Sequence, residues 1–330
     1  AGLSIQQSLW MASASSSPWK QLEGPVSAAA YVSMSLTMTT MTKYAASVWR
    51  FPGSSLLLLI ECWATVLALL ATAPKGYKYK PFCRTTLMNL PLVTVAKALN
   101  MYLSFLAMKH TSLPIYNVLK RLQPAYALVQ DWLIRGSVPT AGERLGVAVM
   151  CLATAATGWG DLEFQPLGYG VALLAAACQS LFLVLARHAQ DRVPGLSHVD
   201  LLFYTALYNT VVFVPLSLTE AGEIWRFLSE PGEPTRLLLF VGPYVFIGAA
   251  LNFTTFWCTS ATSPLATAVA GNLKGVLSTL IGIFYFSALL TPIGWLGIMG
   301  NTFGGFIFSA AQLSKKRRKS DVGRAGADVK

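Results

Sequence analysis

Residues 52–73 read PGSSLLLLIECWATVLALLATA, a run closed by Pro74 in which Glu61 is the single charge. Its length and composition match the ~20 apolar residues that cross a bilayer. It decides the fold because the pattern recurs. Breaking the 330 residues at their polar and Pro/Gly punctuation gives ten such segments, at about 25–46, 52–73, 86–108, 114–134, 144–160, 167–186, 200–218, 237–261, 264–288 and 292–312. Apolar residues make up 54% of the chain and charged ones 12%, about half the roughly 25% charge of a soluble domain. The mean hydropathy of +0.52 is spread along the sequence, which excludes a secreted protein with one apolar leader. Barrel strands would be short and alternating, whereas these segments are apolar around most of their circumference. The expectation is an all-α polytopic membrane protein with ten transmembrane helices.

The net charge of +11 would suit a nucleic-acid partner only as a basic face on a soluble module. The charges are instead sorted by loop. Sixteen Lys and Arg fall on one side of the span pattern, including Lys75, Lys78, Lys80, Arg84 and the run Lys315–Lys319. Arg50, Lys109, Arg226 and Arg236 fall on the other, beside Asp161, Glu163, Glu220, Glu223, Glu230 and Glu233. The basic side is expected to be cytosolic, with both termini on it. The run at Lys315–Lys319 reads as an anchor on anionic membrane lipid. The five cysteines are scattered, with no CxxC pair or histidine cluster, so neither a disulfide framework nor a metal site is expected. Residues 1–24 begin with Ala and are Ser-rich, as a fragment or processed chain would be, and are assigned no fold. The expected organisation is an N-terminal cytosolic segment 1–24, five-helix repeats at 25–160 and 161–313, and a basic cytosolic tail 314–330.

The two repeats come from sliding the chain on itself by 154 positions. Thr111-Ser112-Leu113-Pro114 leads to Lys120, and Thr262-Ser263-Pro264 leads to Lys274; at that offset the two lysines coincide, as do Gly146 and Gly300. Five spans separate the copies, so the second must be inserted upside down. An inverted five-plus-five repeat is associated with alternating access and a site near the midplane.

The chemistry lies in the charges inside the spans: Lys43, Lys97, Lys120, Arg121 and Lys274, against Glu61 and Asp131. A basic residue at a helix centre costs about 2.5–3.5 kcal/mol on insertion scales. These residues must therefore face a polar interior, and two acids cannot neutralise five bases. The excess positive charge at membrane depth attracts an anion. A cation site would need carboxylates and carbonyls, and a voltage sensor would need bases at every third position of one helix.

Lys43, near a span end, either snorkels or binds; Lys97 either pairs with Glu61 or binds. Lys120 and Arg121 point about 100° apart on a helix, with Tyr116 one turn from Lys120. Around Lys274, Gly271 and Gly275 form a GxxxG that explains close packing but not the lysine between them. In the seventh span Tyr204 and Tyr208 lie one turn apart, as do Thr205 and Asn209. They form either an interfacial aromatic belt or a platform on which a planar ring stacks while the amide reads its edge. The candidate phosphate-binding residues are Lys274, Lys120, Arg121 and Lys43. The candidate base-binding residues are Tyr204, Tyr208 and Asn209, and the family resemblance described below widens the set of base- or sugar-binding candidates to Gly271, Asn272 and Tyr116. No catalytic constellation shares a plausible site, so an enzyme is not expected, nor is a cofactor.

On these residues the chain resembles the nucleotide-sugar transporters of the drug/metabolite transporter superfamily, in the branch of the Golgi GDP-mannose and UDP-glucuronic acid/UDP-N-acetylgalactosamine transporters. The resemblance covers about residues 25–313. It is carried by Thr42-Lys43-Tyr44, Ser112-Leu113-Pro114 through Lys120-Arg121, Gly158 to Asp161, Phe203-Tyr204, Asn252-Phe253-Thr254-Thr255 and Gly271-Asn272-Leu273-Lys274-Gly275. It implies antiport of a cytosolic GDP- or UDP-linked sugar against a lumenal nucleoside monophosphate, in a Golgi membrane or that of the endoplasmic reticulum, and leaves room for a homodimer. It carries over to Tyr204 for the base and Lys274 for the phosphates and sugar; the FYNN-type and GALNK-type patterns of GDP-mannose transporters are rearranged here. Two alternatives stand beside it: a plastid-type sugar-phosphate exchanger and a non-transporting membrane scaffold of the same fold.

Overall fold

Lipid offers a backbone no hydrogen-bonding solvent, so a spanning segment must satisfy its N–H and C=O groups within itself. The computed structural model is accordingly helical. It describes residues 18–72, 84–193, 196–261, 264–286 and 290–327. In chain order the helices are α1 (Pro18–Lys43, continued by a π-helical turn Tyr44–Val48), α2 (Ser54–Thr72), α3 (Arg84–His110), α4 (Leu113–Lys120), α5 (Gln123–Arg135) and α6 (Ala141–Trp159). There follow α7 (Pro166–Arg192), α8 (His198–Thr219), α9 (Ala221–Leu228), α10 (Glu233–Ala261), α11 (Pro264–Phe284) and α12 (Pro292–Ala327). Among the described residues the β structure is a single bridge, Asp161 to Leu290. The chain is all-α, as expected.

Among the described residues five helices are long and apolar enough to cross a membrane, over Ser54–Ala71, Leu90–His110, Pro166–Arg192, Val199–Thr219 and Glu233–Thr255. Their outer faces carry large exposed apolar side chains, such as Leu67 and Leu70 on α2, Val211 and Leu218 on α8, and Leu238, Leu239 and Phe246 on α10. In water such a girdle would be an aggregation surface; in lipid it is the solvent-facing side. α1 is less apolar because Ser35, Thr39 and Thr42 form a stripe that faces inward.

Four features depart from the sequence reading. The expected fourth span is two helices, broken at Arg121–Leu122. The cause is Pro124, whose ring lacks an N–H and would clash with the carbonyl of residue 120 in a continuous helix. α1 begins at Pro18, inside the stretch assigned no fold. α12 runs to Ala327, through most of the basic tail. The short amphipathic α9 lies between the seventh and eighth spans, where a loop was expected, and buries Ile224.

Helices pack in pairs: α6 with α12, α3 with α7, α2 with α8, α1 with α10 and α11, and α4 with α11. The α6–α12 seam is the tightest because its glycines bring backbone against backbone. A Cβ on Gly146 would stand 2.7 Å from the Phe308 amide nitrogen, and one on Gly304 would stand 2.9 Å from that of Met150. Buried Asn301 crosses the seam to Thr154 Oγ1 at 2.9 Å. At one end of the seam Thr140 and Glu143 form a capping box, and Lys315 reaches Glu143 at 3.1 Å. Burial pushes the Glu143 carboxyl up, but the hydrogen bonds from Thr140 and Lys315 outweigh it and hold the group below the usual carboxylate range.

Candidate functional site

The inward stripes of α1, α2, α3, α4, α10 and α11 enclose a cavity of about 170 Å³. α1 contributes Ser35, Thr39 and Thr42, α2 contributes Glu61, and α3 contributes Asn100, Met101 and Ser104. Tyr116 and Lys120 enter from α4, Tyr244 from α10 and Lys274 from α11.

The helix break delivers the basic wall. α4 ends at Lys120, whose Nζ donates to Tyr116 Oη at 2.9 Å and lies 5.2 Å from the centre of the same ring. Lys274 faces it from α11, within electrostatic reach, and makes no hydrogen bond or ion pair among the described residues. Two like charges at one wall of a cavity within the membrane repel each other unless an anion sits between them. Asn117 Nδ2 donates to Ser278 Oγ at 2.9 Å and ties α4 to α11. Arg121 turns the other way, towards α12: Nη1 donates to Thr302 Oγ1, and Nη2 is buried without a partner among the described residues. A Cβ on Gly275 would stand 2.8 Å from that Nη2, so the second glycine of the GxxxG makes room for a guanidinium.

The structure thus brings together Lys120, Lys274 and Tyr116 and places the other candidates elsewhere. Lys43 is buried beside the cavity, and its Nζ donates to the carbonyls of Met108 and Thr111, both at 2.7 Å. It caps the C-terminal end of α3, where free carbonyls and the helix dipole favour a cation. Its outer side meets a vestibule of about 1030 Å³ that also holds Arg50, Lys109 and Glu163. Tyr204 is 3% exposed and packs with Leu90, Val93, Ala189 and Leu201; its ring meets Phe203 edge-on at 5.5 Å. Tyr208 packs at the edge of the same cluster. Asn209 is fully buried behind the cavity: its Nδ2 points at Met101 Sδ, 3.6 Å away, and its Oδ1 has no partner among the described residues. Gly271 faces Tyr31 of α1, which would lie 3.7 Å from a Cβ there. The side chain of Asn272 lies outside the described residues.

Sequence reasoning gave Glu61 only the part of a counter-charge. In the structure it lines the cavity, and the hydroxyl of Tyr244 donates to Oε2 at 3.4 Å. Lys97 is within electrostatic reach of it, but its Nζ is taken by Thr205 Oγ1 at 2.9 Å. The two form no contact ion pair among the described residues. The hydroxyl stripe of α1 was also missed. The signal was present, since Ser35, Thr39 and Thr42 recur at helical spacing in a segment of low hydropathy.

Apolar helices around a polar cavity, with cations at membrane depth, are the build of a multi-pass membrane transporter. The profile of the Triose-phosphate Transporter family matches residues 28–309, and the chain belongs to that family; it is a transporter and not an enzyme. It is 29% identical over 301 residues to the UDP-galactose/UDP-glucose transporter 7 of Arabidopsis thaliana, covering 89% of this chain and 91% of that one. It is 23% identical over 319 residues to the GDP-mannose transporter of Eremothecium gossypii, covering 90% and 95%. GDP-mannose transporter 1 of Saccharomyces cerevisiae is 22% identical over 327 residues, covering 91% and 95%. A crystal structure aligns over 88% of this chain and 96% of its own at 17% identity, with a TM-score of 0.48.

Proposed function

We propose that this protein exchanges a cytosolic nucleotide sugar for a lumenal nucleoside monophosphate by alternating access. The observation that carries the reading is the meeting of Lys120 and Lys274 in one cavity beside Tyr116. They occupy equivalent positions of the two halves, and together they suit a diphosphate. The names of the relatives supply the sugar and the base. Residues 25–160 and 161–313 are the two inverted halves, between a segment 1–24 and a tail 314–330. The helix packing supports that division. With α4–α5 as the fourth span and α9 set aside, a shift of five spans turns the α1–α10 contact into α7–α3 and the α1–α11 contact into α7–α4. The pairs α2–α8, α4–α11 and α6–α12 each turn into themselves.

In the exchange Lys120 and Lys274 hold the phosphates. Arg121, adjacent to Lys120 in the chain, fixes α4 against α11 and α12 and offers its free Nη2 as the halves rearrange. A cavity of about 170 Å³ is smaller than the roughly 300–1,000 Å³ of drug-sized pockets, so it encloses part of such a ligand until the halves part. Movement of Met101 would open Asn209 to the cavity, which suits reading of a base edge. A diphosphosugar carries about two negative charges, and a monophosphate with a second pKa near 6 carries nearly as many, so the exchange is close to electroneutral. The loop charges support cytosolic termini, and the resemblance to Golgi nucleotide-sugar transporters suggests a Golgi membrane.

One observation favours a second reading. The aromatic face of α8 is packed against α3 and α7 rather than open to the cavity, and a sugar-phosphate exchanger of the same family would need no base platform. Proteoliposomes preloaded with GMP, UMP or nothing, and challenged with labelled GDP-mannose, UDP-sugars and triose phosphate, separate the two. Stimulation of one nucleotide sugar by its matching monophosphate is the expected result. Exchange of triose phosphate alone refutes the nucleotide reading.

A further inference from the structure

The cavity is lined by a carboxylate as well as by the two lysines, and the phosphate reading uses only the lysines. Glu61 has Lys97 as its electrostatic neighbour, whereas Lys274 has Lys120. The Glu61 carboxylate has about four acceptor sites, of which one is engaged, by Tyr244 at 3.4 Å. The neighbouring hydroxyls have spent their protons inside the protein. Thr39 donates to the Ser35 carbonyl at 2.8 Å, Thr42 to the Met38 carbonyl at 2.8 Å, and Ser104 to Asn100 Oδ1 at 3.2 Å. What these three hydroxyls have left to offer the cavity is lone pairs, beside the Nδ2 donors of Asn100. Buried acceptors and a buried carboxylate are costly unless a donor meets them, and Lys97, which is within electrostatic reach, makes no contact ion pair with Glu61 among the described residues and donates to Thr205 instead.

Building on the nucleotide-sugar reading, we infer that the Glu61 wall is the seat of a neutral, polyhydroxylated sugar ring and turns away a sugar that bears a carboxylate. Neighbouring sugar hydroxyls are O–H donors at the spacing a carboxylate accepts with both oxygens. A phosphate or uronate group has no such proton at neutral pH and is repelled by Glu61. The lysines and the carboxylate therefore orient the ligand, with phosphates on Lys120 and Lys274 and sugar on Glu61. They also set a preference for hexoses over their C6-oxidised acids. Removing the charge of Glu61 while Lys97 stays cationic makes this wall attractive to the acids.

The test uses the full chain in proteoliposomes and two matched substrate pairs, UDP-glucose with UDP-glucuronic acid and GDP-mannose with GDP-mannuronic acid, so that either base is covered. For the pair whose base is accepted, the wild type is expected to prefer the neutral member by about tenfold or more, equivalent to about 1.4 kcal/mol. Glu61→Gln is expected to bring the ratio within about threefold, and Glu61→Asp, which keeps the charge, to preserve it. Equal transport of both members by the wild type, or an unchanged ratio in Glu61→Gln, overturns the inference. If the Gln variant does not reconstitute, the wild-type ratio still decides. Exchange of no nucleotide sugar by the wild type takes down the nucleotide reading and this inference with it, whereas exchange without preference takes down the inference alone.

Discussion

Replacing Lys274 by Ala is expected to weaken exchange steeply while leaving folding and insertion intact. The ammonium lines the cavity without a protein partner among the described residues, so its loss orphans no side chain. It also removes the repulsion that Lys274 and Lys120 exert on one another. Two unit charges 4 Å apart interact by about 4 kcal/mol at an effective dielectric of 20, and a hydrogen bond to a charged group contributes about 1.5–3 kcal/mol net. Taking about 2–3 kcal/mol for the lost phosphate contact predicts a roughly 30- to 150-fold weaker apparent affinity. The assay is inhibition of exchange by increasing nucleoside monophosphate in proteoliposomes, together with melting of the purified protein in detergent. The melting temperature should stay level or rise. Exchange and inhibition constants at wild-type values would refute the assignment of Lys274 to the anion, and so would a collapse in melting temperature, which would make it a structural residue.

Other expectations follow from the same geometry. Lys43→Met removes two 2.7 Å bonds to carbonyls at the C-terminal end of α3, so melting should drop markedly, by about 3–6 kcal/mol of stability at 1.5–3 per charge-assisted bond. Unchanged melting with weakened substrate inhibition would return Lys43 to the phosphate site. Gly146→Leu drives a side chain into the Phe308 backbone, and overpacking of about 1–3 kcal/mol or more should cut the monodisperse yield on gel filtration; normal yield would contradict the close seam. For Glu143 the folded pKa is depressed. Its stabilisation is present above the unfolded value near 4.3 and is lost as pH falls through the lower folded value. Melting of Glu143→Gln should therefore lie below wild type at pH 6, and the gap should close as pH falls through the depressed folded value; a gap independent of pH would refute the Lys315 and Thr140 contacts.

Much of the fold was legible in the sequence because lipid leaves the backbone few options. Five of the apolar runs became long apolar helices within about six residues of their expected ends, since hydropathy and helical period act locally. The break at Arg121–Leu122 was legible too, in Pro124, but its meaning was not. Only the tertiary structure shows that it ends α4 at the cavity with Lys120 inside and sends Arg121 to α12. Lys43 and Lys97 carry the same charge as Lys120 and Lys274, yet neighbours from α3 and α8 occupy their ammonium groups, and partners distant in sequence leave no local trace. The tyrosines of α8 show the same limit. Their one-turn spacing fixes a shared face, while the identity of what covers it belongs to α3 and α7.

By itself the sequence determined that the chain is helical, that it is built for lipid and that it carries more positive charge at membrane depth than it can neutralise. Those properties are sums over residues and their immediate neighbours. The tertiary structure decided which cations face a shared space and which are spent on protein oxygens. It also placed a carboxylate and a row of proton-spent hydroxyls in the same cavity as the two lysines. A cavity is a relation among helices far apart in the chain, and the pairing that creates it is set by packing, here of α1, α2, α3, α4, α10 and α11, and not by any one segment.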